Sequence, residues 1–108
     1  MEKPELLSGT LDLMILRVLN PEPLHGFGVA ERIHVLSRDV LTVEEGSLYP
    51  ALYRLVEKGW IKAEWGMSEN NRRARFYSIT TAGRKQLDAE AANWRQVSNA
   101  INLILKGI

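Results

Sequence analysis

Cysteine is absent from the 108-residue sequence, and histidine occurs only twice, as His25 and His34. The absence of cysteine excludes a disulfide framework, a thiolate metal site and a cysteine nucleophile. The two histidines are too far apart to form a helical metal-binding pair, and we interpret His25 as a capping or turn residue. Neither a glycine-rich phosphate loop nor a Ser-His-Asp set can be assembled. We therefore expect no metal, no cofactor and no enzymatic activity.

Long hydrophobic runs are also missing. The longest apolar-rich segment, residues 11–19, contains Asp12 and Arg17 and is too short to span a bilayer. The charged first five residues are not followed by the uninterrupted apolar stretch of a secretory leader. We therefore expect a cytoplasmic protein that makes no contact with a membrane.

The hydrophobic content of 45% is ordinary for a globular protein. A chain of this length forms one domain, or one domain with an appended helix, and buries only a modest core. Partner subunits are therefore an expected source of stability.

The formal net charge is only +1, but the charges are unevenly distributed. Residues 1–46 carry four basic and eight acidic side chains, whereas residues 47–85 carry eight basic and three acidic ones. A basic middle segment is the distribution that contact with phosphates requires. An uneven solvated surface would give the same count, so charge alone does not decide the function.

Hydrophobic periodicity predicts two helices in the first third of the chain. The first begins with Ser8 as its N-cap and ends before Asn20. Its apolar residues occupy two faces, so that it is either buried or covered by a second subunit. The second helix runs from Phe27 or Gly28 to Leu36, and Phe27 is interpreted as a packing residue.

The next segment predicts a helix followed by a hairpin. Ser47 is the expected N-cap, and Pro50 is placed in the first turn, where its missing N–H is harmless. Gly59 ends the helix. The two strands of the hairpin are predicted at residues 60–65 and 75–79, with a polar tip between them that carries arginines.

A final helix is predicted that is capped by Thr80 or Thr81 and runs to about Lys106. Apolar and small residues recur in it with the spacing of a helix-helix seam. We predict a dimer interface formed by Leu87, Ala91, Trp94, Ser98, Ile101 and Leu105. Packing of this face against the first helix of the same chain is the alternative.

Three helices followed by a hairpin is the element order of a winged helix-turn-helix. The fold class is therefore mostly α with a small β-hairpin (α+β), with a DNA-binding domain at 1–80 and a dimerisation helix at 81–108. The N-terminus of the third helix favours phosphate, and hydroxyl and guanidinium groups can bind phosphates or base edges. The residues predicted to contact DNA are Ser47, Tyr49, Pro50, Tyr53, Arg54, Arg72, Arg73 and Arg75. Tyr53 fits the core equally well, and Arg72 and Arg73 also fit a solvated loop.

Several segments resemble the PadR family of bacterial transcriptional regulators. The string from Gly46 to Leu55, followed by Gly59-Trp60-Ile61, is similar to the recognition helix of that family. Residues 7–12, 25–29 and 75–83 resemble its opening segment, the start of its second helix and the exit from its wing. The single terminal helix is similar to the short subclass of the family.

The resemblance implies a homodimeric repressor that binds a roughly palindromic operator in double-stranded DNA. It also implies that the terminal helices cross between subunits, and that Tyr49 contacts the DNA backbone. In some short members a tryptophan matching Trp94 lines a central pore that holds flat aromatic drugs, which makes a small planar aromatic compound the candidate ligand. Phe27 departs from the family, in which tyrosine is frequent at this position.

Two other functions compete with that of a regulator. One is a winged-helix adaptor that binds protein instead of DNA, a hypothesis that Tyr49, Pro50 and Tyr53 leave open. The other is a drug-binding protein without a regulatory role, which the DNA-binding features disfavour.

Overall fold

A computed structural model describes Leu6 and residues 9–107 of the chain. The elements, in chain order, are α1 (Thr10–Leu19), β1 (Leu24–His25), α2 (Gly26–Leu36), α3 (Glu45–Glu57), β2 (Ile61–Met67), β3 (Arg73–Ile79) and α4 (Thr81–Lys106). The order of three helices, a hairpin and one long helix confirms the predicted fold class. No helix in the described part of the chain is both long and apolar enough to cross a membrane.

The first helix begins at Thr10, after Gly9 in a left-handed conformation with φ 85°. Gly9 therefore occupies the N-cap position, without a side-chain cap hydrogen bond, and this corrects the assignment of the cap to Ser8. Ser8 itself lies outside the described residues. The predicted end before Asn20 is confirmed.

The second helix begins at Gly26 because His25 caps it. The His25 Nδ1 atom accepts a hydrogen bond from the backbone N–H of Gly28 at 3.0 Å, which satisfies one of the free donors at the helix start. This contact confirms the interpretation of His25 as a capping residue.

The start of α3 differs from the prediction. Glu44 is extended and its carbonyl accepts hydrogen bonds from the N–H groups of Ser47 and Leu48, at 3.0 and 2.9 Å. Ser47 is therefore a residue of the first turn and not the N-cap. Pro50 lies inside the helix, beyond its first turn, so its missing N–H leaves the Gly46 carbonyl without the usual intrahelical donor.

The sheet has three antiparallel strands in the order β1-β3-β2. Its main hairpin is longer than predicted, since β2 continues to Met67 and β3 already begins at Arg73. The added strand β1 pairs Leu24 with Tyr77 and His25 with Phe76. Periodicity did not reveal β1, because a two-residue strand contains no repeat.

The core is formed by the three helices of the domain together with the base of the hairpin. Its fully buried large side chains are Ile15, Leu16, Leu19, Val29, Leu48, Leu52, Leu55 and Ile61. The two apolar faces predicted for α1 are both represented in this core, since Leu16 and Ile15 are fully buried in it.

The start of α4 is fixed to the base of the hairpin. The Thr80 hydroxyl accepts a hydrogen bond from the Gly83 N–H at 3.0 Å and donates one to the Gly59 carbonyl at 2.7 Å. Gly83 lies so close to the Trp60 carbonyl that a Cβ atom would collide with it. Thr80 is thus the N-cap, one of the two residues predicted for that position.

The first residue of the predicted seam belongs to the core of its own chain. Leu87 is only 7% exposed and packs in the main cluster. Its assignment to the subunit interface was therefore wrong, because the spacing of apolar residues does not distinguish an intrachain contact from an intersubunit one.

Candidate nucleic-acid interface

Tyr49 joins the exposed face of α3 to the start of α2. Its hydroxyl oxygen lies 2.6 Å from the position that a Cβ atom on Gly26 would occupy, so the phenol rests directly on the glycine backbone. Burial, together with the nearby Glu45 and Tyr77, raises the pKa of Tyr49, which keeps its hydroxyl as a hydrogen-bond donor. The hydroxyl is therefore held at a fixed place beside the N-terminus of α2.

Tyr53 is 67% exposed, which excludes the core position that the sequence left open. A hydrogen bond with the Glu57 carboxylate raises the pKa of Tyr53, as does the negative charge of that carboxylate. Ser47 and Pro50 are also exposed on this helix. The exposed face of α3 thus presents the hydroxyl groups of Ser47 and Tyr53 to solvent.

Arg54 has a partner that the sequence did not indicate. Its Nη2 atom donates to Asp12 Oδ1 of α1 at 3.0 Å, and the Asp12 side chain is only 14% exposed. Because the aspartate is nearly buried, the ion pair fixes α3 against α1. The guanidinium remains half exposed.

The arginines of the hairpin do not all lie at its tip. The tip is formed by residues 68–72, where the Ser68 N–H donates to the Arg72 carbonyl at 2.8 Å and Asn71 has a φ of 60°. Arg73 begins β3 instead of belonging to a flexible loop, which corrects its predicted position. Arg72 remains at the tip and is exposed.

Arg73 and Arg75 both stack on Trp65. Their guanidinium carbons lie 4.8 and 5.8 Å from the centre of the indole ring. The register places Trp65 directly opposite Arg75, and Met67 opposite Arg73, so these side chains share one face of the hairpin. The alternating pattern of residues 60–65 predicts Trp65 as a strand residue and indicates no function for it.

A groove of about 790 Å³ separates the hairpin from the start of α2. Its walls bring together Tyr49, Arg72, Arg73 and Arg75 of the predicted DNA contacts, whereas Ser47, Pro50, Tyr53 and Arg54 do not line it. Glu31 and Glu69 also line the groove, so its charge is mixed, with the arginines concentrated on the hairpin side.

Phe27 lies at the edge of the same groove. It is 69% exposed and its ring centre lies 6.3 Å from that of His25. The interpretation of Phe27 as a core-packing residue is therefore wrong. It occupies the first turn of α2, whose outer side faces solvent.

A second groove, of about 400 Å³, runs between α4 and the first two helices. Trp94 lines it together with Leu13, Met14, Ile33, Leu36 and Ala91. Ser98 is half buried farther along the helix, whereas Ile101 and Leu105 are exposed. The apolar seam of α4 is thus covered by its own chain only at its beginning.

A metal site needs a cluster of ligand side chains. Across Leu6 and residues 9–107, no group of three or more histidine, aspartate or glutamate side chains is arranged to bind one.

Three helices, a two-stranded wing and an arginine-bearing groove between them define a winged helix-turn-helix protein of the DNA-binding class. Residues 15–89 match the family model of the PadR-like transcriptional regulators. The chain therefore belongs to the PadR-like family, whose members are non-enzymatic, DNA-binding regulators of transcription.

Solved structures of similar proteins agree with this assignment. A transcriptional regulator from Clostridium thermocellum is 28% identical, with a TM-score of 0.82 and coverage of 91% of this chain and 95% of that one. A PadR-like transcriptional regulator from Bacillus cereus is also 28% identical, with a TM-score of 0.80 and coverage of 94% and 97%. An uncharacterized protein of Lysinibacillus sphaericus is 26% identical over 100% of this chain and 99% of its own length.

Proposed function

We propose that the chain is a homodimeric transcriptional repressor that acts on a palindromic operator in the cytoplasm. The observation that carries this proposal is the second half of α4, whose apolar side chains are largely exposed among the described residues, Leu6 and 9–107. The exposed residues are Trp94, Val97, Ile101, Leu103, Ile104 and Leu105. An apolar surface of this extent on a single helix favours burial by a second copy.

Dimerisation explains how a small domain reads a long DNA site. Each subunit presents one α3 and one wing, and a two-fold axis repeats them at a fixed separation, which matches the two half-sites of a palindrome. We propose that Tyr49 and the wing arginines Arg72, Arg73 and Arg75 bind backbone phosphates. Ser47, Pro50 and Tyr53 then lie at the major groove.

Arg54 has a more limited role in this proposal. Its ion pair with Asp12 holds α3 in place, and its exposed half contributes positive charge close to the DNA.

A planar aromatic compound is the proposed effector. Trp94 is exposed in an apolar groove in which Ala91 provides a small neighbour, and a flat ring can stack on the indole. Because the groove adjoins the uncovered part of α4, a ligand there would alter the contact between subunits and thereby the spacing of the two DNA-binding heads.

DNA binding is tested by electrophoretic mobility shift with the duplex upstream of the protein's own gene, over a salt series. We expect affinity to fall steeply with salt, because phosphate contacts release counterions. The double variant Tyr49→Ala, Arg73→Ala should bind weakly, whereas Lys106→Ala, which removes one charge at the far end of α4, should bind normally. Equal affinity of all three proteins would overturn the proposed contacts. Repression is tested with a reporter gene behind the same DNA, where deletion of the regulator should raise expression.

Ligand binding is tested by tryptophan fluorescence. The chain has three tryptophans, so the variant Trp60→Phe, Trp65→Phe leaves Trp94 as the sole emitter. We expect planar aromatic compounds to quench it and to lower the affinity for DNA. Quenching that persists unchanged in Trp94→Ala, with the other two tryptophans present, would refute the assignment to this groove.

A further inference from the structure

We infer that Trp65 is a positioning residue that holds Arg73 and Arg75 in the orientation in which the wing binds DNA. The inference rests on the proposed role of the wing arginines. It starts from the stack of both guanidinium groups on a single indole ring, at 4.8 and 5.8 Å.

The indole of Trp65 does not belong to the hydrophobic core. Trp65 is 60% exposed and lies on the outer half of β2, beyond the core. Large aromatic side chains usually bury much more of their surface in a protein of this kind. Among the described residues, the cation–π contacts of its ring are those with the two arginines, which indicates that the arginines account for its position.

The face of the hairpin that carries the stack is the one directed towards the helices. Side chains alternate between faces along a strand, so Trp65 lies on the same face as Ala63, and Arg75 on the same face as Tyr77. Tyr77 is buried in the core. The stacked arginines therefore project into the groove between the wing and the start of α2, in agreement with their place in its lining.

Stacking solves a physical problem of this face. Two guanidinium groups at neighbouring positions repel each other, and each long side chain loses rotamer freedom when it is fixed. A shared indole ring attracts both cations through its negative face and covers their aliphatic stems. The edges of the guanidinium groups remain free to donate hydrogen bonds to phosphate oxygens. The loss of rotamer entropy of the two arginine side chains therefore occurs on folding and not on DNA binding.

The test compares three substitutions on the wing by mobility shift at fixed salt. We expect Trp65→Leu to weaken DNA binding about five- to thirtyfold, the combined effect of two exposed cation-π contacts. The separate variant Trp65→Phe keeps an aromatic ring and should retain most of the affinity of the natural chain. Met67→Leu is the matched control, because Met67 is exposed on the same face of the same strand and contributes no ring. It should bind like the natural chain. Thermal unfolding of all three variants should be two-state and close to that of the natural chain.

A double-mutant cycle separates positioning from direct contact. In the background Arg73→Gln, Arg75→Gln, we expect Trp65→Leu to have no further effect, because the indole acts through the arginines. An equal loss in both backgrounds would overturn the inference, since Trp65 would then act independently of them.

A measurement without DNA keeps the inference distinguishable from the proposed function. In the variant Trp60→Phe, Trp94→Phe, the ratio of iodide to caesium quenching of Trp65 emission should exceed that of free N-acetyltryptophanamide, because two cations lie at its ring; this excess is the iodide preference. Arg73→Gln, Arg75→Gln should lower the ratio to that of the free compound. If the natural chain fails to bind DNA while the iodide preference is present, the proposed function is wrong and the stack is real. Absence of the preference refutes the stack itself.

Discussion

The hydroxyl oxygen of Tyr49 lies 2.6 Å from the position of a Cβ atom on residue 26, so the phenol and the first residue of α2 occupy adjoining space. We expect Gly26→Ala to displace the Tyr49 ring and to weaken DNA binding about tenfold, the effect of losing one hydrogen bond to a charged group. In a Tyr49→Ala background the added methyl group has room, and Gly26→Ala should then leave the remaining affinity unchanged. A loss of similar size in both backgrounds would show that the glycine acts for another reason.

The ion pair between Asp12 and Arg54 should be visible in stability. We expect Asp12→Asn and Arg54→Ala each to lower the free energy of unfolding in urea by about 1 kcal/mol, because each removes a charge-assisted hydrogen bond. The double variant should lose less than the sum of the single losses. Strict additivity would mean that the two side chains are not coupled in solution.

Two glycines of the helices should respond in opposite directions to alanine. At Gly83 the new methyl group meets the Trp60 carbonyl, so we expect a loss of about 3 kcal/mol in the free energy of unfolding. At Gly46 no atom lies within 4 Å of the added Cβ, and the better helix propensity of alanine should stabilise the protein by about 0.5–1 kcal/mol. Thermal unfolding measures both, and a tolerated Gly83→Ala would contradict the tight junction between Trp60 and α4.

Glu90 is expected to make stability depend on pH. Burial, followed by the negative charge of Asp12, raises the pKa of Glu90, although a hydrogen bond from Gln86 and the charge of Lys58 oppose this. A raised carboxyl pKa means that the folded state binds the proton more tightly, so its stabilising effect is present at low pH and is lost as pH rises through the folded-state pKa. Glu90→Gln should therefore unfold at a higher temperature than the natural chain at pH 7, and at a similar temperature near pH 3. The same difference at both pH values would rule out ionisation of Glu90 as the cause.

The proposed interface predicts a specific effect of charge on α4. We expect Ile101→Glu to weaken the dimer by roughly a hundredfold, because an unpaired carboxylate in an apolar contact costs about 3 kcal/mol. Asn102→Glu adds the same charge to the neighbouring residue, away from the seam spacing, and should leave the dimer intact. Sedimentation velocity over a concentration series measures the monomer–dimer equilibrium of each protein. A natural chain that stays monomeric at high concentration would contradict the interface.

The order of the four helices and of the main hairpin could be predicted from the sequence, since periodicity, capping residues and turn glycines are local properties, whereas the two-residue strand β1 could not. It identified His25 and Thr80 as capping candidates because each side chain bonds within a few residues of itself. It misplaced the start of α3, because Ser47 is a better capping residue than Glu44 by type, whereas the carbonyl of Glu44 accepts the first hydrogen bonds.

Other features that could not be predicted depend on tertiary contacts. The partner of Arg54 lies 42 residues away, and the stack on Trp65 depends on the exact register of two strands. The same limit explains the error at Leu87, where an apolar residue at seam spacing faces its own core. Patterns along the chain indicate which face is apolar, but they do not indicate what covers it.

The junction of Thr80, Gly83 and the turn after α3 has a mechanical consequence. Thr80 donates hydrogen bonds to the Gly59 and Trp60 carbonyls, and Gly83 packs against the Trp60 carbonyl. Because these contacts fix the first turn of α4 to the base of the wing, we expect the 26-residue helix to move with the DNA-binding head as a rigid unit. A helix of that length measures about 39 Å, so a tilt of about 5° displaces its far end by about 3 Å. In the proposed dimer, small rearrangements where the two α4 helices cross would therefore turn both heads, and the angle between these helices would set the distance between the two DNA-binding surfaces.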